Sequence, residues 1–144
     1  MTELQADAAH VTAALSIQRI GVLPDRVRCD VLVDDELVRY TNDAMAQRAI
    51  SRFPNLVRHA CVNSKGTTFG AVIARTSLPH LLEHVVIDML VQKSTDDETV
   101  FVGTTEWTDE RSGCARVEVS MTDDLAVLRA FRDAVSFINE EVIQ

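Results

Sequence analysis

The segment 76-TSLPHLLEHVVIDML-90 constrains the fold more than any other part of this chain. Leu78, Leu81, Leu82, Val85, Val86, Ile87, Met89 and Leu90 make it apolar almost all round, so a helix here has no solvent face and must be enclosed by other elements. Pro79 suits the first helical turn, where a missing N–H costs nothing, and it disfavours the α conformation at Leu78. The helix is therefore expected to begin close to His80 and to run to about Val91, before the polar stretch 92-QKSTDDE-98. Within this apolar cylinder sit four polar residues, His80, Glu83, His84 and Asp88.

Their spacing suggests a purpose. Residues at i and i+4 stand one above the other on a helix, so His80 and His84 can face a single ion, with Glu83 beside them and free to face a water. Two imidazoles so placed suit zinc. Asp88, four residues beyond His84, can accept the outer N–H of a metal-bound imidazole and so orient it. The pattern H-x-x-E-H is that of inverted zincins, in which two histidines hold the metal and the glutamate deprotonates its water. The competing reading is a core helix whose histidines are merely hydrogen-bonded, one of them to Glu83. Burying three polar groups on an apolar helix without a metal would be costly.

A catalytic zinc normally takes a third protein ligand, for which Cys114, Glu118, Glu140 and Glu141 are candidates. In 114-CARVEVSM-121 alternation puts Ala115, Val117, Val119 and Met121 on the helix-covered side, so Cys114 and Glu118 should point away. On the closing helix, a step of about 100° per residue sets Glu141 at the edge of the stripe Leu125, Leu128, Phe131, Val135, Ile138, Val142, and Glu140 on the solvated side. Glu141 is the expected third ligand; the alternative is that both glutamates decorate a fraying end.

The rest of the chain reads as alternating strands and helices. Strands are expected at 11-VTAALSIQRI-20 and 27-VRCDVLVDDE-36 around a Leu23-Pro24-Asp25 turn, and a helix from Asn42 or Asp43 up to Phe53-Pro54. A short helix 55-NLVRHACV-62, a turn 63-NSKG-66 and a strand 67-TTFGAVIA-74 follow. Beyond the apolar helix, 99-TVFVGTTEW-107 and 114-CARVEVSM-121 form a strand pair about 108-TDERSG-113, and Thr122 or Asp123 caps the closing helix. The sum is an α+β domain, with helices packed on one face of a mixed or mostly antiparallel sheet. Trp107 is expected to fill core rather than line a pocket.

With 144 residues, 47% of them hydrophobic, the chain suits one domain over 1–144, with 1–9 flexible. A net charge of −8 argues against nucleic acid as partner. Three unpaired-looking cysteines, no signal-peptide pattern and no membrane-length apolar run point to a soluble cytoplasmic protein; a homo-oligomer is left open.

The runs 53-FPNLVRHACVN-63, 76-TSLPHLLEHVVIDML-90 and 101-FVGTTEWTDERSGCARVEVSM-121 together resemble the amino-terminal domain of cyanophycin synthetase, with its Leu-Pro-x-Leu-Val-x-His-x-Cys segment, its His-x-x-Glu-His helix and its strand pair. The resemblance covers about residues 53–121. It implies a fold similar to pitrilysin and the mitochondrial processing peptidase, with a metallopeptidase-like site that trims the aspartate–arginine polymer. By position it implies metal ligands at His80 and His84, a general base at Glu83 and a supporting acid at Asp88, where the family has Glu. His59 and Cys61 match the family's His-x-Cys and are weighed as site wall against simple packing. The family's Gly-Arg-Thr-Arg-Glu-Thr reads Gly103-Thr104-Thr105-Glu106-Trp107-Thr108 here, so an arginine pair for polymer carboxylates is missing. The ATP-dependent ligase domains are missing as well, and at most a freestanding relative of the trimming domain is expected. S-ribosylhomocysteine lyase shares the helix motif and uses a cysteine ligand, a part Cys114 could fill, but that lyase's amino-terminal substrate signature is not present.

The expected function is zinc-dependent hydrolysis of a peptide or isopeptide bond in a peptide-like substrate. The alternative is a metal-binding or degenerate module acting through a protein partner.

Overall fold

The computed structural model describes residues 13–96 and 98–144. The expectation of a flexible stretch at 1–9 lies outside them. Two strands open the fold, β1 (Leu15–Val22) and β2 (Arg26–Val33), paired antiparallel about the expected turn, where Leu23 N–H donates to Arg26 C=O at 2.8 Å. Two more, β5 (Gly103–Asp109) and β6 (Cys114–Ser120), pair across a tight turn that closes on Gly113 at φ 81°, a left-handed conformation that favours glycine. β6 also pairs antiparallel with β2, giving one four-stranded antiparallel sheet in the order β1-β2-β6-β5. β5 is thereby an edge strand.

Alternation sorts the two faces. Val27, Cys29, Val31, Val33, Ala115, Val117 and Val119 are buried on one face. The other carries Arg26 and Arg28 paired with Glu118, and Arg116 with Asp30. Exposed ion pairs of this kind add little stability each, so the buried face holds the domain together.

Two of the three helices cover that face, and the first packs beside them on the Pro54–Arg58 and Ile138–Val142 turns. α1 (Asp43–Arg52) starts at Asn42, whose side chain accepts the Met45 N–H, and ends before Pro54. α2 (Leu78–Lys93) is the apolar helix, and it packs on β5 and β6. It begins two residues earlier than expected, because Ser77 is its cap and Pro79 is accommodated in the first turn after it. α3 (Asp124–Phe137) packs on β1, β2 and α2. Its buried face is Val127, Ala130, Phe131, Ala134 and Phe137, while Leu125 is exposed, so the stripe is rotated from the one that the large aliphatic residues suggest. Phe53 and Phe137 meet edge to face, with centroids 5.1 Å apart, where α1 adjoins α3.

The segment between α1 and α2 departs most from expectation. Residues 55–62 are not a helix: Pro54–Arg58 is a 3-10 turn, and Ala60–Asn63 is a strand, β3, paired with β4 (Gly66–Thr68) across the 63–66 turn. The expected strand 67–74 stops at Thr68, and Phe69–Ala71 forms another 3-10 turn that drives Phe69 into the core. Gly70 permits this turn, since a Cβ there would lie 2.7 Å from the Val57 carbonyl oxygen.

Candidate metal centre

The amino-terminal half of α2, the hairpin β3-β4 and the edge strand β5 meet at one place. Ser77 Oγ accepts the His80 N–H at 3.2 Å, so the cap that starts α2 also sets the first histidine at its end. On the hairpin, Asn63 Nδ2 donates to the carbonyls of Cys61 and Thr68, at 3.0 and 3.1 Å, and holds Cys61 facing the helix.

Cys61, His80 and His84 each bring one donor atom to a cluster whose members all lie within 4.8 Å of one another. The Cys61 Sγ is 3.5 Å from His80 Nε2. Each imidazole has its Nδ1 engaged elsewhere: that of His80 with Thr76 Oγ1 at 2.8 Å, that of His84 with His59 Nδ1 at 3.0 Å. The Nε2 atoms are left for the cluster. Phe69 fixes the ring planes, stacked on His84 at 4.0 Å and edge-on to His80 at 4.9 Å. Burial drives the His80 pKa down; burial, reinforced by the His80 and His59 rings, drives that of His84 down to about 3. Both rings are therefore neutral at physiological pH, with a lone pair to give. One thiol and two neutral imidazoles converging on a cavity are a donor set that fits a metal ion.

Glu83 stands beside this cluster and is only 5% exposed. Its Oε1 accepts the Thr105 hydroxyl at 2.6 Å, and its Oε2 lies 3.7 Å from His84 Nε2. Burial raises its pKa above the ordinary carboxylate value, against the opposing pull of the Thr105 hydrogen bond and of His59. A cavity of about 570 Å³ opens in front of these groups, lined by Cys61, Val62, His80, Glu83, His84 and the strand Gly103–Trp107. Trp107 packs against the core as expected and lines the cavity as well; its Nε1–H donates to Tyr40 Oη at 3.1 Å.

The sequence-predicted residues fall into two groups. His80, Glu83, His84, His59, Cys61 and Asp88 are brought together. Asp88 does not accept from a donor histidine directly, as expected from its spacing: its Oδ2 bonds His59 Nε2 at 3.1 Å, and His59 stands between it and His84. Cys61, expected as site wall or simple packing, is the third donor in the cluster. Glu141 is not brought to it. The last turn of the chain, Ile138–Val142, is a π-helix in which Ile143 N–H bonds Ile138 C=O, and this wider turn falls behind the 100° step on which the placement of Glu141 rested. Glu141 is exposed and borders, with Glu140, a separate groove beside Arg52 and Gln92. Cys114 and Glu118 lie on the sheet face turned away from α2.

Phe69, Thr105 and Gly103 escaped sequence reasoning, as did Thr76 and Asn63, which hold His80 and Cys61. Only the nearness of a His-x-Cys pair to H-x-x-E-H could have promoted Cys61. Thr104 and Glu106, where the resembled family has arginine, alternate with Thr105 and sit opposite Glu118 and Arg116 in the ladder, on the ion-paired face of the sheet.

A family model, described as the cyanophycin synthase-like N-terminal domain, matches residues 31–143. No curated protein matches the chain.

Proposed function

Because the chain belongs to the cyanophycin synthase-like N-terminal domain family, we propose that it is a zinc-dependent hydrolase of peptide or isopeptide bonds. On this reading it has a pitrilysin-like fold and acts in the cytoplasm; no helix among the described residues is long and apolar enough to cross a membrane. The observation that carries the reading is the position of the Glu83 carboxylate, 3.7 Å from His84 Nε2 at the edge of a Cys61, His80, His84 donor cluster. A buried carboxylate so placed can take the proton of a metal-bound water, the step that hydrolysis requires.

Sulfur and imidazole donors favour zinc among the common divalent ions. Bound by Cys61, His80 and His84, zinc would supply Lewis acidity toward a scissile carbonyl and a lowered pKa for a water. The residues of the chain do the rest. Glu83, its pKa raised by burial, is suited to accept the proton of the attacking water and to hand it to the leaving amine. Thr105 holds Oε1, which leaves Oε2 as the oxygen free to exchange that proton. The cavity has room for a peptide unit between β3 and β5.

Purified protein should contain close to one zinc per chain by elemental analysis, and the double change His80→Ala with His84→Ala should remove it. Glu83→Gln should keep the metal and abolish hydrolysis of peptide or isopeptide substrates. Metal retained by the double variant would sink the site; metal bound without any turnover sensitive to Glu83→Gln would favour a metal-binding module that acts through a partner.

A further inference from the structure

Four polar side chains form an unbroken line behind the donor cluster. Gln92 Nε2 donates to Asp88 Oδ1 at 2.8 Å, Asp88 Oδ2 is 3.1 Å from His59 Nε2, and His59 Nδ1 is 3.0 Å from His84 Nδ1. His84, Asp88 and Gln92 follow one another at four-residue intervals along α2, and His59 reaches in from the end of the turn ahead of β3. The rings of His59 and His84 meet at their nitrogen edges, with centroids 5.2 Å apart and planes at 47°, and do not stack.

The protons in this line can be assigned from one end. A carboxylate only accepts, so the His59 Nε2 facing Asp88 carries its hydrogen. A doubly protonated His59 would donate from both nitrogens and impose the opposite tautomer on His84, whereas in the neutral form of the ring its Nδ1 is a bare acceptor. Its neighbour at 3.0 Å must then donate, which puts the hydrogen of His84 on Nδ1 and leaves Nε2 as the lone pair. Phe69 cannot make that choice, because stacking against a ring face is indifferent to which edge nitrogen is protonated.

We infer that His59, outside the donor set, is a positioning residue that fixes the tautomer of His84 and so dictates that Nε2 is presented to the metal cavity. Asp88 and Gln92 act through it, holding His59 with its own acceptor nitrogen toward His84. This goes beyond the hydrolase reading and is a property of the metal-free chain, so the two can fail separately. The burial of Asp88 explains why both of its oxygens are bonded: it is 2% exposed, and a half-satisfied buried carboxylate would be costly.

The test is two-bond proton–nitrogen correlation NMR on metal-stripped protein labelled with ¹⁵N at histidine, near neutral pH. His84 is expected as the Nδ1–H tautomer and His59 as the Nε2–H tautomer. His59→Phe should release His84 from its single tautomer and weaken zinc binding by roughly 10- to 100-fold. His59→Gln should rescue both, since its amide oxygen can accept from His84 while its NH₂ reaches Asp88. The wild-type spectrum depends on no variant folding: His84 found protonated at Nε2 overturns the inference, as does a His59→Phe protein with an unchanged His84 tautomer. The expected tautomers in a chain that binds no zinc would leave the inference standing and defeat the hydrolase reading.

Discussion

Gly103 lies so close to Glu83 that a β-carbon on it would stand 2.7 Å from both Cγ and Oε2 of the glutamate. The edge strand therefore forms one wall of the slot that holds the carboxylate. Gly103→Ala should push Glu83 off its bond to Thr105 while leaving Cys61, His80 and His84 untouched. Hydrolysis is expected to fall by about 100-fold with zinc content unchanged, as an Å-scale misplacement of a reacting group does. Full activity in this variant would mean that Glu83 does its work from some other position.

Thr105 donates to Glu83 Oε1 and thereby lowers a pKa that burial raises. Thr105→Val removes the donor and keeps the shape. The acid limb of the rate profile, where Glu83 must be ionised to act as base, should move to higher pH, with the plateau rate less affected than the limb. An unmoved limb would assign that ionisation to another group.

Cys61 takes the third-donor place that helical spacing assigns to Glu141. Cys61→Ala should reduce zinc affinity by more than the roughly 100-fold that loss of an outer hydrogen-bonding residue can cost, whereas Glu141→Ala should leave it unchanged. A competition titration against a chelator of known affinity decides it; the opposite order would restore the carboxyl end to the site.

Acid should destabilise the metal-free protein in a definite window. His84 has a folded pKa of about 3 against 6.5 when unfolded, so between those values the unfolded chain binds more protons and stability falls as pH falls. The slope from His84 alone is up to about 1.4 kcal/mol per pH unit. Glu83 acts with the opposite sign: its folded pKa is raised, so protonation in the fold relieves a burial cost as pH drops through that value toward 4.5. Urea unfolding at pH 7 and pH 5 should show wild type losing stability, Glu83→Gln losing more between the same two points, and His84→Gln losing less. Equal losses in all three would separate these groups from acid sensitivity.

Much of this arrangement is legible in one dimension because helical geometry is local. The i, i+4 relation of His80 and His84, the place of Glu83 between them, and the need to enclose α2 all follow from backbone periodicity within a dozen residues. The same holds for the inward and outward faces of β6, where a period of two sends Glu118 to the arginines and Val117 to the core. Asn42 and Asp123 cap their helices as short polar residues do.

Contacts between distant segments follow no such rule. Cys61 joins the two histidines because 60–63 pairs as a strand with 66–68, a contact that no local period in the sequence specifies. Asp88 reaches His84 only through His59, 25 residues before it in sequence, and Glu83 is seated by Thr105 and Gly103, on a strand whose position depends on its ladder with β6. The motif helix, the antiparallel α+β pattern and the buried strand faces could be read along the chain, since each depends on near neighbours in sequence. The third donor, the histidine relay and the slot for Glu83 were decided by tertiary structure alone, because packing brings together side chains whose separation in sequence carries no period.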